Sequence, residues 1–147
     1  DLVAEFDLGI PQKITEELLR WEACDAVLHL GMLGRVSFAR SVADSAIQAD
    51  PNYTEEKLRD GFALIRQREE AFTRFTVRMM DTYRKPVLGV ALLNDEDSRA
   101  IVDVEGSPYK GIAFPTPERA VRVLAKMSAY AHWLSHEKAR AGERGET

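Results

Sequence analysis

The residue types best suited to chemistry sit in a five-residue turn, Gly31-Met32-Leu33-Gly34-Arg35, after the apolar run Ala26-Val27-Leu28-His29-Leu30. A buried strand that ends in glycines and hands over to a helix leaves backbone N–H groups free at the helix start. There the helix dipole favours a phosphate group, and Arg35 could add a bidentate contact to the same anion. The plainer reading is that Gly31 and Gly34 only permit a tight turn, and two glycines without a full motif leave both readings open. Other candidates are weaker. His132 and His136 stand four apart on a helical stretch and could share a metal ion, but no third ligand is in register, so no metal site is assigned. His29 reads as a core or strand-end histidine, Cys24 as a small buried residue without a positioned base, and Asp95, Glu96 and Asp97 as a solvated loop.

Positioning that turn requires an alternating α/β chain. Pro11 to Ala23 has helical spacing, with Ile14, Leu18, Leu19 and Trp21 as its apolar side and Gly9-Ile10-Pro11 as a break before it. Asp1 to Phe6 reads as the remainder of a strand. The run Ala26 to Leu30 predicts a strand buried on both faces, and Val36 to Gln48 a helix. Thr54 is a good N-cap for Glu55 to Tyr83, a single helix of about 30 residues and roughly 45 Å. Lys85 to Leu93 is a second buried strand. Ala100 to Val104 is open between a short strand and a loop, and Gly106-Ser107-Pro108 is a turn. Gly111 to Phe114 is a brief strand that Pro115 stops; Thr116 then caps a helix whose first position is Pro117 and whose apolar face is Val121, Leu124, Met127, Ala131 and Leu134. Strands alternating with helices imply right-handed crossovers and a parallel sheet covered on both faces.

Composition bounds the function classes. A chain of 147 residues with 45% hydrophobic content supports one core. We read one domain over residues 1–140 and a flexible polar tail at 141–147. A net charge of −4 argues against a phosphate-backbone binder, so no nucleic-acid partner is expected. No apolar run approaches the roughly 20 residues that span a bilayer, and the start lacks a signal-peptide pattern; a cytoplasmic location without membrane contact is expected. A single cysteine fits a reducing compartment. The stripe Leu58, Phe62, Ile65, Phe72, Phe75, Met79 and Tyr83 lies on a helix too long for a small sheet to cover. It predicts a homodimer with Phe62, Phe72, Phe75 and Met79 at the interface.

The order of these segments, with Lys85-Pro86-Val87-Leu88 and the run Gly111-Ile112-Ala113-Phe114-Pro115-Thr116-Pro117-Glu118-Arg119-Ala120, resembles the ligase domain of NDP-forming acyl-CoA synthetases, relatives of succinyl-CoA synthetase. Such domains carry a K-P-V-L strand and close with a G-I-P-V-Y-x-T-P-E-R-A-like run. The resemblance covers essentially the whole chain. It implies a flavodoxin-like three-layer fold, here with an elaborated long helix, and a parent acid-thiol ligase that couples acyl-CoA, NDP and phosphate to acid, CoA and NTP. It further implies that Gly31 to Arg35 supports the phosphorylated histidine loop of a neighbouring domain. The segments bearing that histidine, the CoA loop and the ATP-grasp block are not in this sequence. The chain therefore reads as an excised piece, catalytically silent by itself and binding no cofactor, with CoA, ATP/ADP and Mg belonging to the parent and the parent's other domains as partners. The alternative is a non-catalytic α/β interaction or regulatory module that retains the fold.

Overall fold

The computed structural model describes residues 7, 9–50, 52–91, 93 and 101–144. The expected strand at Asp1 to Phe6 and the acidic loop at Asp95 to Asp97 lie outside them. The elements are α1 (Gly9–Arg20), β1 (Val27–Leu33), α2 (Arg35–Ala49), α3 (Glu55–Tyr83), β2 (Val87–Ala91), β3 (Ile101–Asp103), β4 (Lys110–Phe114) and α4 (Pro117–Arg144). They form a four-stranded sheet in the order β1-β2-β4-β3, parallel at β1/β2 and β2/β4 and antiparallel at β3/β4. The three strands expected to be parallel are so. The short strand left open at Ala100 to Val104 exists and makes the sheet mixed.

Two helix starts follow from local chemistry, and one corrects the reading above. Gly9 does not break the chain. Its N–H donates to Asp7 Oδ1 at 2.8 Å and that of Ile10 to Asp7 O at 3.1 Å, so the helix begins there, with Pro11 in its first turn where a missing N–H costs nothing. This helix ends at Arg20 rather than Ala23, and its buried residues are Pro11, Thr15 and Leu19, an i, i+4 ridge rotated away from the exposed Ile14, Leu18 and Trp21. For α3 the expected bounds hold. Thr54 Oγ1 accepts from the Lys57 N–H, Glu55 and Glu56 suit the positive end of the helix, and Arg84 closes it in the left-handed region at φ 57.

Strand pairing divides the sheet into two faces. Paired residues of parallel strands point the same way, so Val27 and His29 of β1, Val87 and Gly89 of β2 and Ala113 of β4 share one face, and Gly111, two residues from Ala113, joins them. Helix α3 lies on this face. A Cβ at Gly111 would sit 2.3 Å from Thr73 Cγ2, so glycine here is the condition for the helix to approach β4. Leu19, Val27, Val77, Met80 and Val87 form the core between α1, α3 and the sheet. Leu88 and Val90 are buried on the opposite face, where α4 is the helix in contact with β2 and β4. Lys85, in the K-P-V-L segment, has a structural use: its Nζ donates to Leu19 O and Trp21 O, both at 2.8 Å, and so closes the carboxyl end of α1.

Burial differs from expectation at two elements. All of β2 is buried because it has a strand on each side, whereas β1 lies at the sheet edge among the described residues; only its Val27 is fully buried and Leu30 is 59% exposed. The last helix, of 28 residues, is about 42 Å long against roughly 17 Å for a five-residue strand. Ala120 is buried and Leu124 and Leu134 are half-buried, but Val121, Met127 and Ala131 are exposed because the helix outruns the sheet. It also continues to Arg144, so the segment from 141 is helical to that point. No helix among the described residues is long and apolar enough to cross a membrane.

The close approach of α3 to β4 makes a direct prediction. Gly111→Ala should destabilise the fold by about 1–3 kcal/mol through overpacking. Thr73→Ser, which removes Cγ2, should recover part of that loss in the double variant. Chemical denaturation of the two single variants and the double checks both.

Candidate functional site: the start of helix α2

Strand β1 does not stop at Gly31. It passes through a bulge, in which Leu30 pairs with Val90 and Leu33 with Ala91, leaving Gly31 and Met32 as extra residues, and Gly31 at φ 75 supplies the left-handed turn this needs. Gly34, also at φ 75, is the N-cap of α2 and offers no side-chain oxygen to its first N–H groups. A glycine does open the helix at Gly34 and Arg35, but Gly31, read as the end of the strand, lies inside β1. Leu33 instead faces the sheet, its Cδ1 lying where a Cβ on Gly89 would be 2.8 Å away.

The open N–H groups have a partner that local pattern reading missed. Glu69 Oε1, from the middle of α3, accepts from the Arg35 N–H at 2.5 Å and from the Val36 N–H at 3.3 Å. A carboxylate already sits where the phosphate was expected. Burial pushes the Glu69 carboxyl above the usual carboxylate range, and the hydrogen bonds from Arg35 and Val36 together with the nearby Arg35 and Arg66 charges partly oppose that rise. Arg35 does not reach outward for an anion either. Its Nε donates to Gly31 O at 2.7 Å and its Nη2 lies 3.7 Å from Met32 Sδ, so the guanidinium braces the bulge from within. Met32, Arg35, Ile65, Arg68 and Glu69 line a small cavity of about 50 Å³ here. As described, the turn is an anion seat filled by the chain itself, and a phosphate would have to displace or protonate Glu69 to use it. The signal for Glu69 was present in one form: a lone carboxylate interrupting the stripe Phe62, Ile65, Phe72 and Thr76 at helical spacing.

The remaining candidates are dispersed. Of the four residues expected at an interface, Phe72 is only 1% exposed and belongs to the interior, because it lies on the part of α3 that crosses the sheet. Phe75 is half-buried beside it with ring centroids 6.0 Å apart, Met79 packs against the core, and Phe62 lies half-buried further up the helix. His132 and His136 are both exposed, and His132 Nδ1 bonds Ser128 O at 3.0 Å. No three His, Cys, Asp or Glu side chains converge as a metal site among the described residues. Cys24 Sγ donates to Ala26 O at 3.3 Å.

His29 is a second unusual titratable group. Gly89 makes room for its ring, since a Cβ there would lie 2.8 Å from His29 Cε1, and the ring meets Phe72 edge-on at 5.0 Å. Its Nδ1 is sealed from solvent without a hydrogen-bond partner among the described residues, and burial lowers its pKa to about 4. It is a neutral packing residue, not a base poised near neutrality.

No family model, curated protein or solved structure matches this chain. The reading of function accordingly rests on the residues and their geometry.

The His29 environment fixes a pH dependence. Between about pH 6.5, its ordinary value, and about 4, the unfolded chain binds a proton that the folded chain refuses. Stability contributed by neutral His29 is thus complete above that window and lost as pH falls through it, by up to about 3 kcal/mol. Glu69, with its raised pKa, acts in the opposite direction where the two windows overlap. The His29 effect is therefore read as the difference from His29→Leu: denaturation between pH 7 and pH 4 should show a steeper acid loss for the natural chain than for the variant.

Proposed function

We propose that this chain is a flavodoxin-like, non-catalytic part of an NDP-forming acyl-CoA synthetase of the cytoplasm, serving to dock and support that enzyme's other domains. What carries the reading is the juxtaposition of its two resembling segments. Lys85 to Leu88 leads into β2, Gly111 to Phe114 lies in β4, the two strands pair in parallel, and β4 runs through Thr116 into α4, where the Arg119 N–H donates to Thr116 Oγ1 at 3.4 Å. In that reading the start of α2 is the contact point for a phosphohistidine loop, and Glu69 is the group that must yield when a phosphoryl oxygen approaches. The exchange is a replacement of one anion by another on the same two N–H groups, so it needs no rebuilding of the helix start. CoA, nucleotide and Mg would be held by the parent's other domains.

A second reading has its own observation. The filled seat at Arg35 and Val36 leaves no donor pair open for a phosphoryl group, which favours an interaction module that has kept the fold without the chemistry. One experiment separates the two. The intact gene product, incubated with labelled ATP, CoA and a panel of short carboxylic acids, should form acid-labile phosphoprotein and acyl-CoA, while the 147-residue chain alone should form neither. Absence of both products from the intact protein would leave the module reading standing and remove the synthetase one.

A further inference from the structure

On the side of the sheet away from α3, the helical layer is incomplete. Four strands at about 4.8 Å spacing make a face about 19 Å wide, whereas one helix is about 10 Å across. There α4 lies against β2 and β4, with Leu88 and Val90 buried. Leu30 pairs with Val90, and Ile101 pairs with Ile112, which alternates with Ala113 of the α3 side, so Leu30 and Ile101 both point to the α4 side. They are 59% and 56% exposed, and their strands β1 and β3 lie on either side of the β2/β4 pair that α4 covers. Parallel strands are normally covered by helices on both faces. What this face lacks among the described residues is a helix beside α4.

The chemistry of that helix is set by a flank of α4 about a third of a turn round from the buried Ala120. Arg119, Arg122, Lys126, Tyr130 and Trp133 follow one another there at spacings of three and four over about 21 Å, and all are exposed. Among the described residues the side chains of Arg119, Arg122 and Lys126 make no ion pair. The Tyr130 and Trp133 rings stack on each other, centroids 5.7 Å apart. The nearby acids are already engaged: Glu118 at the helix start with its own N–H and Thr116, Glu137 with Arg140 at 3.5 Å, and Asp103, beyond Ile101 on β3, with Lys110 at 2.8 Å. The flank is thus cationic at its start, aromatic in its middle and internally paired at its end. We infer that this flank and the open strip of sheet beside it seat an acidic amphipathic helix of another polypeptide. Its carboxylates answer the three cations, and its apolar side covers the rings and the strip. Spacings of three and four are those at which one helix meets another, and Arg, Tyr and Trp are the types that anchor protein interfaces. A nucleic-acid strand or an anionic bilayer brings charge along its whole length, whereas the free cations here occupy one end only. The inference does not rest on the synthetase reading, since it uses no part of the α2 start.

Fluorescence anisotropy with labelled helical peptides of about six turns tests it. The peptides share one apolar side and carry Glu, Gln or Lys beside it. The Glu peptide should bind the natural chain most tightly and the Lys peptide least, and added salt should weaken the Glu complex. Reversing all three cations, Arg119→Glu with Arg122→Glu and Lys126→Glu, should weaken the Glu peptide roughly tenfold or more and strengthen the Lys peptide, a gain that a misfolded chain cannot give. Trp133→Ala should weaken the Glu peptide roughly tenfold. Lys13→Glu, on the exposed side of α1, should change nothing. Failure of the Glu peptide to bind, equal binding of the three peptides, or a charge-reversed chain that keeps its preference for Glu would each overturn the proposal. So would tighter binding of oligothymidylate or phosphatidylserine vesicles at the same three cations, or a dimer of the chain that Trp133→Ala separates.

Discussion

The structure depends on one constraint: α3 must lie close enough to the sheet to bury its lower half while its upper half reaches beyond. Gly111 makes the approach possible, because any larger residue would collide with Thr73. Phe72, Val77 and Met80 then fill the space over β1 and β2, and α1 joins through Leu19. Burial of these side chains, at about 1.5–3 kcal/mol each, outweighs what any single surface ion pair contributes. The exposed bridges from Arg20 to Glu16 and Glu17 are therefore minor beside the α3 contact.

From that contact the rest follows in order. Once α3 is seated, Glu69 stands at the level of the β1 carboxyl end and reaches the first N–H groups of α2. The carboxylate replaces the side-chain cap that Gly34 cannot give, and it ties α2 to α3 across 34 residues of sequence. Beyond this tie the two helices line a charged groove. Below it lies the apolar pocket of His29, Gly89 and Phe72, whose lack of polar partners keeps the imidazole neutral. One helix thus divides an apolar region, a capped helix start and a polar face.

Local chemistry made much of this legible from sequence. The bounds of α3 were readable because Thr54 and the acidic first turn mark its start and the chain needs Pro86 and an apolar run after its end. The strand-turn-helix junction from Gly111 to Ala120 was equally plain. What failed were features set by distance in the chain. Gly31 read as a stop, but its positive φ serves a bulge inside a longer β1. Leu28 and Leu30 read as doubly buried because nothing in their own segment says that β1 is an edge among the described strands. The apolar spacing of α4 continues past the sheet, so Met127 has core periodicity with no core beside it. Glu69 was legible only as an oddity in an apolar stripe; that it caps a helix 33 and 34 residues earlier depends on the fold.

The account turns on Glu69 holding the start of α2, and carboxyl carbon NMR through a pH titration tests this most directly. Glu69 should titrate above the ordinary glutamate range, and the amide protons of Arg35 and Val36 should shift along the same curve, because their acceptor is the group that gains the proton. An ordinary glutamate titration, with Arg35 and Val36 amides indifferent to it, would contradict the account. The helix start would then be an open anion site and not a filled one.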